Sequence, residues 1–300
     1  MAIRSVGASA GFGWLSRGIS MGFRHPKPLF GGAVIVALAA LIPVLIMMPM
    51  QYHLLRSGTP PPSTAFGWIM AIPLLIGLLL LPLYAGYLQL ADAAERGLTA
   101  RAGDVIKPYR EGKTLRLIGY GVAMMVIYVA MLAIVIALAG GSTIAHWYMQ
   151  VLTAQANHQL PPTALPDGFG LTMLLLSLVA IFMMGFYSIG LGQVTLSNRS
   201  VFGAIGDGII GTLKNVLPLL MLVLGLILTW IAVGLCLGLV LLVLALIGKL
   251  IGVLVFVLIV PLYIALFLVV YSAMFGVMYH LWRDVCSDDS ETGMAEAMAA

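Results

Sequence analysis

Three places in this chain carry side chains able to do chemistry. Asp92, Glu95 and Arg96 follow the second long apolar run, with Asp92 and Arg96 at the four-residue spacing of a helical ion pair. His280 and Asp284 have the same spacing after the last run, beside Trp282 and Arg283. A histidine held by a carboxylate is a pairing that moves protons in acid–base catalysis. His146, His158 and Asp167 share the stretch between the third and fourth runs and have zinc-binding chemistry. Each cluster also has a plainer reading. Asp92 with Arg96 is a local ion pair where a helix emerges into water, with a cytoplasmic gate as the sharper alternative. No nucleophile accompanies His280 and Asp284, so with Trp282 they read as an anchor in the headgroup layer. The spacing of His146, His158 and Asp167 matches no ligand pattern, so no metal is expected. His-Glu-x-x-His, Gly-x-Ser-x-Gly and a phosphate-cradling glycine loop do not occur, and neither a cofactor nor an enzymatic activity is expected.

The elements that carry these residues follow from composition. Of 300 residues, 62% are apolar and 9% charged, with a mean hydropathy of +1.09. Soluble domains are about 45–50% apolar and about 25% charged, so this chain cannot cover itself with polar surface. That excludes a soluble enzyme, a disordered protein and a nucleic-acid binder. Cys236 and Cys286 form neither a disulfide framework nor a metal motif. A helix needs about 20 apolar residues to cross the hydrocarbon. Such runs are 29–50, 67–91, 117–139, 171–195, 216–247 and 250–279. The last two form one region whose single charge between Asn215 and Trp282 is Lys249, and it reads as two long helices turning there rather than three short ones. The amino terminus lacks a signal-peptide pattern, so the first run is expected to remain as a span.

Thirteen of the fifteen Lys and Arg residues fall on one side of these six spans, with Arg56 and Lys249 on the other. Loops on the cytoplasmic side carry that excess, which places both termini in the cytoplasm. On the opposite side, Pro60, Pro61 and Pro62 make a stiff turn, and residues 143–156 are mixed enough for a short helix with Trp147 and Tyr148 at headgroup level. Residues 285–300 read as a disordered acidic tail.

The chain also resembles itself. Phe23-Arg24, Tyr109-Arg110 and Leu213-Lys214 precede spans one, three and five, at offsets of 86 and 104 residues. Tyr84, Tyr187 and Tyr271 recur near the ends of the even spans at offsets of 103 and 84, each followed by Gly86, Gly190 or Gly276. The unit is an approach segment, a span, an external loop and a returning span, three times over. Phe12, Leu15, Ile19 and Phe23 share one helical face, as do Phe202, Ile205, Ile209 and Leu213. With basic residues beside them, these approach segments read as amphipathic helices in the cytoplasmic interface, the alternative being core helices between spans. Arg24, Lys27, Arg110, Lys113, Lys214 and Trp282 are the expected lipid contacts, and Asp92, Arg96, His280 and Asp284 a candidate polar cluster on that side. Gly234-xxx-Gly238 and Gly248-xxx-Gly252 suit close helix packing.

Three hairpins, each introduced by an aromatic–Arg pattern and closing on Tyr271, Tyr279 and Trp282-Arg283-Asp284-Val285, resemble an uncharacterised proteobacterial family of six-span inner-membrane proteins. A related architecture forms the membrane part of some glycerophosphodiester phosphodiesterases, whose catalytic domain has no counterpart here. The resemblance implies an all-α polytopic fold and transfers no functional residue. The expected role is a non-enzymatic scaffold or accessory subunit that binds membrane lipids or another membrane protein. The alternative is a transporter or channel for a small, weakly charged or lipidic solute.

Overall fold

A backbone crossing hydrocarbon finds no water for its polar groups, and a helix satisfies them within one segment. The computed structural model describes residues 3–57, 63–139, 141–156, 159–160, 162–248 and 252–286, and these form helices and loops without a strand. The helices are α1 (Ala10–Arg24), α2 (Pro26–Ser57), α3 (Ser63–Glu95), α4 (Lys107–Arg110), α5 (Thr114–Leu138), α6 (Gly141–Ala156), α7 (Phe169–Thr195), α8 (Val201–Lys214), α9 (Val216–Gly248) and α10 (Gly252–Cys286). A 3₁₀ turn, Ala102–Ile106, leads into α4. Six of them, α2, α3, α5, α7, α9 and α10, are long and apolar enough to span a membrane. This is a multi-pass membrane protein.

The region with Lys249 as its only charge forms two continuous helices of 33 and 35 residues, not three short ones. The turn at Lys249, the Pro60–Pro62 turn, His158 and residues 287–300 lie outside the described residues. Val285 and Cys286, assigned from sequence to the tail, are instead the buried end of α10. Pro43, Pro49, Pro73, Pro82 and Pro261 sit inside helices, as bundles tolerate. The short helix expected over 143–156 is α6, whose Trp147 Nε1 donates to Ala164 O at 3.0 Å.

The segments that precede α2, α5 and α9 pack on other spanning helices. Helix α1 lies against α9 and α10, the 3₁₀ turn and α4 against α2 and α3, and α8 against α7. In each case the backbones nearly touch at glycine. A Cβ on Gly276 would stand 2.7 Å from Gly18 Cα, and one on Gly86 would stand 1.8 Å from the Val105 carbonyl oxygen. One on Gly208 would meet the Phe186 ring at 2.6 Å.

The packing faces of α1 and α8 coincide only in part with the apolar stripes read in the sequence. Helix α1 buries Gly11, Trp14, Leu15, Gly18, Met21 and Gly22, while Phe12 and Phe23 of the expected stripe are 41% and 60% exposed. Helix α8 buries Ala204, Gly208, Gly211 and Thr212 and leaves Phe202 and Leu213 exposed. In hydrocarbon a large apolar side chain gains little by turning inward, whereas glycine lets two backbones approach. Gly234 and Gly238 do not behave that way, since a Cβ at either meets nothing within 4 Å. Of the other glycine pair, the intervening turn is outside the described residues.

Candidate functional site

Tyr84 of α3, Tyr187 of α7 and Tyr271 of α10, the tyrosines that recur along the sequence, line one cavity of about 670 Å³. Leu15 and Ile19 of α1 and Leu222, Leu226, Thr229 and Trp230 of α9 complete its walls. The tyrosines stand in an aromatic cluster. Tyr271 lies 5.2 Å from Phe275 and 5.8 Å from Tyr87, between ring centroids, and Tyr84 lies 6.3 Å from Phe275. Neighbouring hydroxyls tie the helices together. Tyr87 donates to Leu29 O at 3.0 Å and Tyr120 to Tyr187 O at 3.4 Å. The other polar groups of the wall are satisfied inside their own helices, Ser188 on Met184 O at 2.6 Å and Thr229 on Gly225 O at 2.8 Å. The cavity is therefore apolar with three phenol hydroxyls, and its volume lies in the range of about 300–1,000 Å³ usual for small-molecule sites.

A groove along the outer side of α1 adjoins it, lined by Phe12, Ser16, Ser20, Phe23 and Arg24 and sharing Leu15, Ile19 and Thr229 with the cavity. Ser16, Ser20 and Arg24 follow one another at four-residue intervals, so they form a polar row on one helix face.

On the basic side, α1, α3 and α10 are laced by charge. Asp284 accepts from Trp14 Nε1 at 3.0 Å and pairs with the Arg17 guanidinium. Its partners thus come from α1, 267 residues away, and not from His280 one turn earlier. His280 is fully buried, and neither ring nitrogen has a hydrogen-bond partner among the described residues. Asp92 and Arg96 form the expected i, i+4 pair at 2.8 Å. Arg24 reaches Glu95 at 3.1 Å, with His25 Nε2 at 3.9 Å from the same oxygen. Tyr271 lines the cavity while His280 and Asp284 do not.

The expected lipid contacts divide. Arg24, Lys27, Arg110 and Lys214 are exposed, and Lys214 also donates to Ile3 O at 3.1 Å. Lys113 is half-buried and paired with Glu111 at 2.7 Å. Trp282 is 4% exposed and so is not a lipid contact: its indole covers Gly192, where a Cβ would stand 2.3 Å from the ring. Sequence reasoning missed Trp14, Arg17 and Asn215. Trp14 and Arg17 share α1 three residues apart, a local hint at one face, but nothing in the sequence links them to Asp284. No group of three His, Cys, Asp or Glu side chains able to hold a metal occurs among the described residues.

Asp284→Asn is expected to lower stability by about 1–3 kcal/mol, since Arg17 then loses its counter-charge in a partly buried place. Arg17→Met combined with Asp284→Leu is expected to recover part of that loss, because no lone charge remains. Thermal unfolding in detergent reads both, and a coupling near zero in the double-mutant cycle would contradict this role for the pair.

No family model, no curated protein and no solved structure matches this chain.

Proposed function

We propose that this protein is a non-enzymatic scaffold or accessory subunit of a bacterial inner membrane, with both termini in the cytoplasm, and that its ligand is membrane lipid. It is built in this reading from three related hairpins, each introduced by an interfacial segment, as the resemblance to the six-span family implies. One observation carries the proposal. Segments α1 and α8 leave Phe12, Phe23, Phe202 and Leu213 exposed beside the exposed Arg24, Lys27 and Lys214. An apolar stripe edged by cations suits the layer where acyl chains meet anionic headgroups. The packing order supports the repeat, since α1 on α9 and α10, α4 on α3, and α8 on α7 would make each approach segment dock on the hairpin before it, with the first closing on the last.

The test is mass spectrometry of the protein extracted gently from its membrane. Selective retention of anionic lipid, or of a stoichiometric membrane-protein partner, is the expected result. Retention of neither would overturn the reading. A second reading, passage of a lipidic solute through the bundle, draws on the cavity at the three tyrosines. It predicts that lipid crosses reconstituted vesicles faster than in protein-free ones.

A further inference from the structure

The polar row on α1 is out of place for packing. Ser16 is exposed and Arg24 largely so, on the flank of the helix that carries Phe12 and Phe23 toward lipid. In the layer where acyl chains meet headgroups, an exposed arginine and serine offer donors to a headgroup phosphate. Arg24 gives Nη2 to Glu95 at 3.1 Å and to Ser20 Oγ at 3.5 Å, and Ser20 Oγ donates to Arg17 O at 3.0 Å. Lys27, just beyond, adds a second exposed cation.

The row also leads somewhere. Leu15, Ile19 and Thr229 form walls of both the groove and the cavity, so an extended apolar chain held at the row continues toward Tyr84, Tyr187 and Tyr271 without crossing a helix. A soluble metabolite would leave so apolar a wall uncompensated. Trp230, 54% exposed, stands at the open edge of the wall.

Resting on the lipid reading above, we infer that the crevice between α1 and α9 is a site for one anionic phospholipid, its phosphate at Ser16, Ser20 and Arg24 and one acyl chain in the tyrosine-floored cavity. The site is specific in two independent respects: the cation selects the headgroup, and the cavity selects a single chain.

The full-length protein in phosphatidylcholine vesicles, doped with a trace of phosphatidylglycerol or phosphatidylcholine bearing a diazirine on the acyl chain, tests this by photolabelling and peptide mapping. Label is expected on the cavity walls of α9 and α10, around Trp230 and Met274, above that on the outer face of α2 at Leu41 and Leu45. Phosphatidylglycerol is expected to label there about fivefold more than phosphatidylcholine, the weight of one arginine beside an anionic headgroup. Arg24→Gln is expected to remove that preference. Val233→Trp, on the loosely packed α9, fills the cavity and is expected to abolish label at Met274 with either lipid while sparing Leu41. Even labelling of Met274 and Leu41, or a headgroup preference that survives Arg24→Gln, would overturn the site. If anionic lipid is retained on extraction yet labels elsewhere, only the site is wrong. If no lipid or partner is retained selectively, the functional reading falls with it.

Discussion

Gly86→Ala is expected to be among the most damaging single substitutions in this chain, lowering stability by about 3 kcal/mol or more. The added methyl would stand 1.8 Å from the Val105 carbonyl oxygen and 2.6 Å from its carbon. Both are backbone atoms, so no side-chain rotation relieves the clash. The 3₁₀ turn must move off α3, taking with it the buried Val105 and Pro108. Gly234→Ala supplies the control. A methyl there meets nothing within 4 Å, and alanine is the better helix former, so a neutral result or a gain of up to about 1 kcal/mol is expected. Thermal midpoints in the same detergent compare the two. Equal effects would mean that the close approach of α3 to the 3₁₀ turn does not contribute to stability.

Asn215→Ala is expected to cost about 2–4 kcal/mol and to free the amino-terminal segment. Asn215 is 1% exposed and ends α8. Its Oδ1 accepts from Val6 N at 2.8 Å, and its Nδ2 donates to Arg4 O at 2.9 Å and Gly211 O at 2.8 Å. The side-chain amide thus takes the place of a peptide group and pairs with the extended strap over residues 3–6, which also reaches Val285 O through Arg4 N at 3.0 Å. Alanine removes every one of these bonds and leaves the Val6 N–H without its acceptor. Asn215→Asp keeps an acceptor for Val6 but turns a carboxylate oxygen toward two carbonyls, so it is expected to be no milder. Limited proteolysis reads the release directly: cleavage after Arg4 or Arg17 should speed up in Asn215→Ala before the bundle unfolds. Unchanged cleavage with a lowered midpoint would show that the amide serves α8 and α9 alone.

Local arithmetic made the spans legible. Each is a sum over about twenty neighbouring residues, so α2, α3, α5, α7, α9 and α10 could be placed, most ends within four residues and the carboxyl ends of α2 and α10 seven residues short, and the single charge at Lys249 was compatible with two long helices. The i, i+4 rule likewise placed Asp92 against Arg96, because a helix sets that distance by itself. The same rule failed for His280 and Asp284. Both sit on one helix at the right spacing, yet Trp14 and Arg17 arrive from α1 as better partners for the carboxylate.

The inward face of each approach helix was decided by tertiary structure for a reason particular to membranes. As read from sequence, Phe12, Leu15, Ile19 and Phe23 faced the interface, with burial between spans the alternative; Phe12 and Phe23 are exposed, whereas Leu15 is buried and Ile19 half-buried. In lipid, surroundings and interior are similarly apolar, so hydrophobicity alone does not choose between the two faces of α1, and close backbone contact at Gly18 and Gly276 contributes to the choice. The same indifference hid the burial of Trp282 and left Gly234 and Gly238 uncovered. The recurrence of Tyr84, Tyr187 and Tyr271 could be read from the chain, but their meeting at one cavity could not, because it depends on how α3, α7 and α10 are arranged around each other.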